Sequence, residues 1–263
     1  MGVFDGKVAI VTGIGSGMGR SIALKFASEG ASVVLGARRE HVLQEIAAEV
    51  REVGPEPLVC PVDLGSEESC NHLVARTLER FGGVDVFVQN GHHQGDWKPA
   101  MDSTPQVWRE AVEVNLIGAF VITQGIVASM RARGGGAIVF VNSGAMFSNP
   151  PMLGSYSASK AALASLGRTL AVELGHDGIR VNNLTLGATQ GENTDWFMGK
   201  NQGLSDEEVA QRVEEKGAAM PIGHMPTPEE CAGAVFFLCS PLAAAVTGQN
   251  LNVNGGQWVA TGA

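Results

Sequence analysis

The chain is poor in the residues that mark secreted, disulfide-linked or membrane-spanning proteins. Its four cysteines, Cys60, Cys70, Cys231 and Cys239, are scattered over 263 residues and form no C-x-x-C pair. This spacing favours free thiols in a reducing compartment over a disulfide framework. No run approaches 18 apolar residues, and residues 1–7 contain no cationic segment followed by an apolar one. We therefore expect a cytoplasmic protein with no membrane partner.

Basic residues are also in the minority. The chain has 18 Lys and Arg against 27 Asp and Glu, a net charge of −9 and a pI near 5.1. This balance argues against nucleic acid as a main partner. His92 and His93 are adjacent, and neighbouring side chains rarely converge on one ion. With no Cys or carboxylate pattern nearby, we predict no metal site.

Tyrosine is the scarcest residue, because Tyr156 is the only one. Lys160 follows it by four residues and Ser143 precedes it by thirteen. Residues i and i+4 share one face of a helix, so the Lys160 ammonium is expected near the phenol, where it favours the anionic form. A phenol with a lowered pKa can act as an acid or base. The alternative is a tyrosine packed at a helix edge beside a solvated lysine.

Apolar runs alternate with helical patterns from the start of the chain, which predicts a parallel sheet wrapped by helices in a single domain, 1–263. The predicted strands are 8–12, 32–35, 58–62, 84–88, 137–141, 179–184 and 250–253. One long helix or two shorter ones are expected over 105–130. A mixed excursion over 188–225 contains a predicted helix near 205–216 and has no linker composition.

A glycine-rich segment lies between the first strand and the first helix. Glycines at this place permit a tight turn and let the backbone approach a pyrophosphate, while free helix N–H groups point at its charge. This context predicts dinucleotide binding, with a turn that holds no ligand as the alternative. The predicted contacts are Gly13, Gly15, Ser16, Gly17, Met18 and Gly19.

The second strand ends without the acidic residue that would select NAD(H) through the ribose 2′-hydroxyl. Arg38, with Arg39, follows instead and offers cations for a 2′-phosphate, which predicts NADP(H) with NAD(H) possible. The alternative for Arg39 is a solvated charge at a helix start. Asp63, with Leu64 beside it, is expected to accept a hydrogen bond from the adenine amino group or else to cap a turn.

Together these features resemble the short-chain dehydrogenase/reductase family, in its short single-domain branch. The resemblance covers essentially the whole chain and includes Asn115, the Ser143, Tyr156 and Lys160 set, and an ending over 247–256. It implies an α/β, Rossmann-type doubly wound sheet of about seven parallel strands with helices on both faces. It also implies a nicotinamide cofactor.

The resemblance implies roles for single residues. Tyr156 exchanges a proton with the substrate oxygen, Ser143 hydrogen-bonds that oxygen, and Lys160 lowers the pKa of Tyr156 and binds the nicotinamide ribose. Asn115 holds a water that links Lys160 to solvent, or alternatively braces a helix kink. Further implied cofactor contacts are Asn90, Gly187 and Thr189.

Two segments depart from the family pattern. Gln89-Asn90-Gly91-His92 stands where Asn-Asn-Ala-Gly is usual, so His92 replaces a glycine and is a candidate substrate contact, with a surface or packing role as the alternative. Leu186-Gly187 stands where Pro-Gly is usual, which loosens the hinge of the following loop. Other candidate substrate contacts are Met146, Met152 and Trp196, which suit an apolar or aromatic compound or else pack a loop or subunit interface.

The expected activity is that of an NADP(H)-dependent carbonyl reductase or alcohol dehydrogenase acting on a small-molecule ketone or secondary alcohol. An NAD-dependent alcohol dehydrogenase working oxidatively is the alternative, and a non-catalytic dinucleotide-binding sensor is the alternative from another class. The family implies a homo-oligomer, a tetramer or dimer, built through the helix of Tyr156 and the C-terminal segment. The apolar residues of that helix could equally pack on the sheet: Ala161, Leu163, Ala164, Leu166 and Leu170.

Overall fold

Seven parallel strands form one sheet in the order β3-β2-β1-β4-β5-β6-β7. The computed structural model describes residues 2–260, so residues 1 and 261–263 of the predicted domain lie outside the described part. The strands are β1 Val8–Thr12, β2 Ser32–Ala37, β3 Leu58–Pro61, β4 Val86–Gln89, β5 Gly136–Ser143, β6 Ile179–Leu186 and β7 Asn250–Val253. This order confirms the predicted Rossmann-type sheet and places its switch point between β1 and β4.

Helices cover both faces of the sheet. Their bounds are α1 Met18–Ser28, α2 Glu40–Val53, α3 Glu67–Phe81, α4 Pro105–Val112, α5 Gly118–Ala132, α6 Ala145–Ser148, α7 Gly154–Leu174, α8 Glu192–Phe197, α9 Asp206–Ala218, α10 Pro228–Cys239 and α11 Gln257–Ala260. Helices α1, α2 and α10 pack on one face, and α3, α5 and α7 pack on the other.

The central strands are buried on both faces because each face has its own helices. In β1, Val11 packs into the core of α1, α2 and α10, whereas Ile10 packs into the core of α3, α5 and α7. Successive side chains of a strand point to opposite faces, so a strand covered on both sides must be apolar throughout. This requirement explains the unbroken apolar run over β1.

The predicted long helix is two helices separated by a π-helical segment, Glu113–Ile117. The whole stretch Pro105–Ala132 is the one helical stretch within residues 2–260 that is long and apolar enough to cross a membrane by length and composition. Ile122, Ile126 and Met130 are fully buried in the core beneath α3 and α7. Burial in this core accounts for the apolar composition of α5.

The excursion after β6 contains α8, a short 3-10 turn and α9, which confirms the predicted helix. Ser205 and Glu208 form a reciprocal capping box that starts α9, in the S-x-x-E spacing that such boxes require. A hydrogen bond joins the two ends of this segment, because the Gln190 side chain donates to the carbonyl oxygen of Met225 at 2.9 Å. Residues of the excursion over 188–225 border the carboxyl ends of the strands, and we call this segment the lid.

Two helical glycines give opposite predictions for stability. An added Cβ at Gly118 would lie 2.3 Å from the carbonyl oxygen of Leu64, whereas one at Gly233 would meet nothing within 4 Å. We expect Gly118→Ala to lower the free energy of unfolding by about 2 kcal/mol through overpacking. Gly233→Ala is expected to raise it by about 0.5–1 kcal/mol because alanine favours the helix. Urea unfolding measures both, and equal effects would contradict the packing at Gly118.

Candidate active site

A cleft of about 740 Å³ lies at the carboxyl ends of the strands, beside the switch point of the sheet. Loops after β1, β2, β4, β5 and β6 supply one side of it, and the lid segment supplies the other. Parallel α/β sheets place their ligand sites at this edge because strand ends and helix N-termini converge there. The predicted catalytic and cofactor residues meet in this cleft, apart from Asn115, which lies behind it.

Ser143 and Tyr156 are brought together by the short link between β5 and α7. Ser143 is the last residue of β5, and Tyr156 lies in the first turn of α7. Both side chains line the cleft, and the Ser143 hydroxyl acts on the Tyr156 phenol in the direction that lowers its pKa. The Ser143 hydroxyl also accepts from the Ala145 N–H at 3.2 Å, which fixes its orientation. The two hydroxyl groups therefore lie at one point of the cleft, and each can form a hydrogen bond with a substrate oxygen there.

Lys160 is held beneath Tyr156 with almost no exposure to solvent. Its Nζ donates to the carbonyl oxygen of Val141 at 2.7 Å and lies 5.8 Å from the Tyr156 ring centroid. Its exposed fraction is 2%. Burial lowers the pKa of Lys160 to about 7, so the protein's own groups leave this side chain about half charged near neutrality.

The protein's own groups do not lower the pKa of Tyr156. Enclosure at the floor of the cleft raises this pKa, and the Ser143 hydroxyl opposes the rise. The expectation that Lys160 lowers the pKa is therefore wrong for the protein alone. The physical reason is that the Lys160 ammonium is directed at the Val141 carbonyl and is itself disfavoured by burial.

Asn115 braces the active site through its side chain. Its Oδ1 accepts from the His93 N–H at 2.7 Å, and its Nδ2 donates to the His93 carbonyl at 2.9 Å and to the Ser159 hydroxyl at 2.8 Å. Asn115 is fully buried in the π-helical segment. Both amide protons are thus used to tie the loop after β4 to α7, which differs from bracing the helix kink itself. The predicted water relay stays a prediction.

The glycine-rich segment forms a cradle that fits a diphosphate. Gly13 has a φ of 71°, and an added Cβ there would lie 2.2 Å from the backbone nitrogen of Gly91. Gly15 and Gly17 have open space where a side chain would stand. Helix α1 starts after Gly17 with no side-chain cap and no acid in its first turn. Its first N–H groups are therefore available to a phosphate.

The groups around this cradle also line the cleft, among them Ser16, Met18, Gly19 and Leu64. Arg38 and Arg39 are exposed on it, and neither guanidinium has an ion pair or hydrogen bond within residues 2–260. Asp63 accepts the Gly65 N–H at 3.0 Å, so it both forms a turn and faces the cleft. Asn90 donates to the Gly13 carbonyl at 2.8 Å and joins the cradle to β4. Gly187 and Thr189 line the opposite wall.

Known proteins resemble the chain over nearly its full length. The family model described as enoyl-(acyl carrier protein) reductase matches residues 13–257. Dehydrogenase/reductase SDR family member 4 of Bos taurus is 35% identical over 254 residues, which cover 96% of this chain and 87% of that protein. The chain belongs to the short-chain dehydrogenase/reductase family. Members of this family are NAD(P)-dependent oxidoreductases that act on CH–OH groups, and the predicted enzyme class is confirmed.

Two solved structures of family members superpose closely on this chain. L-Sorbose reductase from Gluconobacter frateurii, complexed with NADPH and L-sorbose, has a TM-score of 0.91 and 33% identity, and the match covers 97% of each chain. 7α-Hydroxysteroid dehydrogenase, complexed with NADH and 7-oxo glycochenodeoxycholic acid, has a TM-score of 0.85 and 34% identity over 96% of this chain and 94% of its own. A nicotinamide cofactor is thus common to both relatives.

The predicted substrate contacts are only partly in the cleft of this dehydrogenase/reductase. His92 lines it. Met146 is buried within α6, Met152 is 49% exposed at a φ of 66° before α7, and Trp196 lies outside, so these three do not form the cleft wall. The sequence identified loops correctly, but the direction of each side chain depends on the turn that carries it.

Trp196 instead belongs to an aromatic cluster that we define as Trp97, Trp196 and Phe197. The ring centroid of Trp97 lies 4.8 Å from that of Trp196 and 4.4 Å from that of Phe197. Trp97 follows β4 and has a φ of 56°, whereas the other two rings are in α8. The cluster therefore fastens the lid to the loop after β4, and Trp97 and Phe197 face the cleft.

Several residues of the cleft carry no sequence signal. Gln94, Asn193 and Lys216 line it, and the Ser16 hydroxyl donates to Glu192 of α8 at 3.0 Å. No motif contains Gln94, Glu192, Asn193 or Lys216, and all four are far in sequence from the glycine motif and from Tyr156. Only the folding of the lid over the strand ends brings them to the site. Within residues 2–260, no group of three His, Cys, Asp or Glu residues is placed to hold a metal ion.

The buried lysine predicts a pH dependence of stability. The pKa of Lys160 is about 7 in the folded protein and 10.5 as the ordinary value. Between these values the unfolded chain holds a proton that the folded protein has released, so raising the pH favours folding. We expect Lys160→Met to remove a gain of about 1 kcal/mol per pH unit in this window.

Urea unfolding of the wild type and Lys160→Met at pH 7, 8 and 9 measures this difference. The wild type should gain stability relative to the variant at each step. Parallel pH profiles for the two proteins would show that Lys160 keeps its ordinary pKa after folding.

Proposed function

We propose that the protein transfers a hydride between NADP(H) and a ketone or the corresponding secondary alcohol, with Tyr156 as the acid/base. The observation that carries the proposal is the placement of Ser143, Tyr156 and Lys160 together in the same cleft as the diphosphate cradle, with Lys160 against the Tyr156 ring. In this family these three side chains together serve catalysis, so a sensor without activity is not retained.

The nicotinamide supplies or accepts the hydride at the carbonyl carbon. The residues of the chain act on the oxygen. Ser143 donates a hydrogen bond that holds the oxygen and stabilises its developing negative charge. Tyr156 gives up its hydroxyl proton to that oxygen in reduction and takes it back in oxidation. Burial raises the pKa of Tyr156, which keeps the phenol protonated and suits it to act as the acid in reduction.

Lys160 restores the proton balance after each turnover. Its pKa of about 7 lets it exchange a proton near neutrality, whereas an exposed lysine would stay charged. Its closeness to the Tyr156 ring allows it to favour the phenolate when it carries a charge. The backbone of the Asn115 segment is the proposed place for a water that joins Lys160 to solvent.

The preference for NADP(H) is supported by the end of β2. Arg38 and Arg39 are unpaired cations on the cleft, and β2 itself ends at Ala37 with no carboxylate. A 2′-phosphate would meet charge of opposite sign here, and a 2′-hydroxyl would lack its usual acceptor. The NADPH complex of L-sorbose reductase is in line with this preference.

An NAD-dependent dehydrogenase that oxidises secondary alcohols is the second candidate. It is favoured by one observation among the relatives, because the 7α-hydroxysteroid dehydrogenase complex contains NADH. The substrate proposed for either direction has an apolar or aromatic body, since Trp97, Leu153, Phe197 and Met198 line the lid side of the cleft.

We also propose that the protein works in the cytoplasm as a homo-oligomer, a tetramer or dimer. All four cysteines are free and buried, which suits a reducing compartment. On α7, Leu163, Ala164 and Leu170 pack on the sheet, so this face is not available to a second subunit. The exposed Val172 and Leu242 support an interface elsewhere on α7 and after α10.

Tyr156→Phe tests the catalytic role. The change removes the proposed acid at the reacting oxygen while keeping the ring in place, so kcat is expected to fall about a thousandfold. The dissociation constant for NADPH, measured by quenching of tryptophan fluorescence, should stay within about twofold. Turnover of a ketone at near wild-type rate by the variant would remove Tyr156 from the mechanism.

Arg38→Ala tests the cofactor preference, with Arg39→Ala as its matched comparison. Loss of a charged partner for the 2′-phosphate should weaken NADPH binding about tenfold and leave NADH binding unchanged. If Arg39 is only a solvated charge at the start of α2, Arg39→Ala should leave the dissociation constants of both NADPH and NADH unchanged. Tighter binding of NADH than of NADPH by the wild type would favour the second candidate.

A further inference from the structure

His92 occupies the wall of the cleft directly beside the proposed acid/base. Its ring centroid lies 6.0 Å from that of Tyr156, and the two rings are tilted by 59°. A glycine is usual in the family at this place, and this chain has an imidazole there instead. The oxygen held by Ser143 and Tyr156 therefore has a second polar group on one side.

The position of His92 is fixed by the hydrogen bonds of the next residue, His93, with Asn115. Both backbone groups of His93 are bonded to the carboxamide of Asn115, at 2.7 and 2.9 Å. Asn115 is fully buried and also bonded to Ser159 of α7, the helix of Tyr156. The loop that carries His92 is thus tied to the helix that carries Tyr156, and the two rings keep a defined relation.

The imidazole is neutral at working pH and its tautomer is set. The ring is exposed to solvent in the cleft yet surrounded by protein, and this enclosure, with the nearby charges of Lys160 and His93, lowers the pKa of His92 to about 4. In the neutral form one ring nitrogen carries the proton and the other accepts. The amide nitrogen of Asn193 can only donate, so its contact with Nε2 assigns Nε2 as the acceptor.

The acceptor nitrogen faces the lid. Nε2 lies 3.5 Å from Nδ2 of Asn193, which is at the limit of a hydrogen bond. Asn193 is in α8 and is exposed. This long contact leaves Nε2 available to a stronger donor that enters the cleft between the lid and Tyr156. The wall on that side therefore offers an acceptor, while Ser143 and Tyr156 offer donors to the reacting oxygen in reduction.

We propose that His92 determines specificity by accepting a hydrogen bond from a hydroxyl on the carbon next to the reacting carbonyl. The substrate class is then an α-hydroxyketone, or in oxidation the corresponding vicinal diol. This inference rests on the proposed function, because it names the substrate of the same site. An α-methoxy ketone has an oxygen of similar electronic effect but no proton to donate, so it should not gain from His92.

Three ketones with the same aromatic body test the inference: 2-hydroxyacetophenone, 2-methoxyacetophenone and acetophenone. With NADPH, the wild type should show a kcat/KM about tenfold higher for the hydroxy compound than for the methoxy compound, the effect of one hydrogen bond to a fixed acceptor. His92→Phe keeps a ring of similar size and removes the acceptor, and His92→Ala removes the ring. In both variants, kcat/KM for the hydroxy compound should be within about twofold of kcat/KM for the methoxy compound.

His72→Ala is the matched control, because His72 is an exposed histidine of α3 away from the cleft and its loss should leave the ratio unchanged. A ratio near one in the wild type, or a ratio that survives in His92→Phe, overturns the role of His92 and leaves the proposed function standing. No turnover of any of the three ketones with NADPH or NADH contradicts the proposed function and the inference together.

Discussion

The active site depends on the close packing of α7 against β5 and β6. Gly167 allows this approach, because an added Cβ there would lie 2.8 Å from Nδ2 of Asn183 on β6. Lys160 then reaches the Val141 carbonyl from the helix side and is sealed from solvent. Were the helix farther from the sheet, Lys160 would regain water and Ser143 would lose its partner on α7. The low pKa of Lys160 is thus a consequence of helix-to-sheet distance.

The same interface contains polar groups that the packing leaves without partners. Asn142 Oδ1, Ser157 Oγ, Thr185 Oγ1 and Asn250 Oδ1 are buried and unpaired within the described chain. Asn142 and Thr185 are register partners on β5 and β6, on the strand face that α7 covers. Unpaired buried groups cost stability, and costs of this kind are concentrated at functional sites. Ser157 lies on the catalytic helix itself, and Asn142 and Thr185 lie on the strands that this helix covers.

A second constraint links the loop after β4 to the rest of the site. The carboxamide of Asn115 is hydrogen-bonded to both backbone groups of His93. The π-helical segment that carries Asn115 interrupts an otherwise regular helix. π-Helical segments are often found at functional sites, where they redirect a side chain. These hydrogen bonds orient His92 towards Tyr156. The cluster of Trp97, Trp196 and Phe197 packs the lid against the same loop. Substrate wall and lid are thereby held by one loop.

Much of the fold could be read from the sequence, because its signals are local. Burial on two faces requires unbroken apolar strands, and the glycine cradle requires Gly13 at a positive φ beside Gly91. The spacing of Tyr156 and Lys160 likewise fixes their common helix face. These features depend on a few neighbouring residues, and the structure places them as expected.

The sequence by itself determined the sheet, the cofactor cradle and the Ser143, Tyr156 and Lys160 set. Only the tertiary structure decided the charge state of the site and which side chains form the wall beside the substrate. The direction of the Tyr156 pKa shift depends on enclosure by residues from β5 and α7, which no spacing reveals. Met146, Met152 and Trp196 turn away while His92 and Asn193 turn inward. Side chains in loops take their direction from long-range packing, and a local pattern carries no information about it.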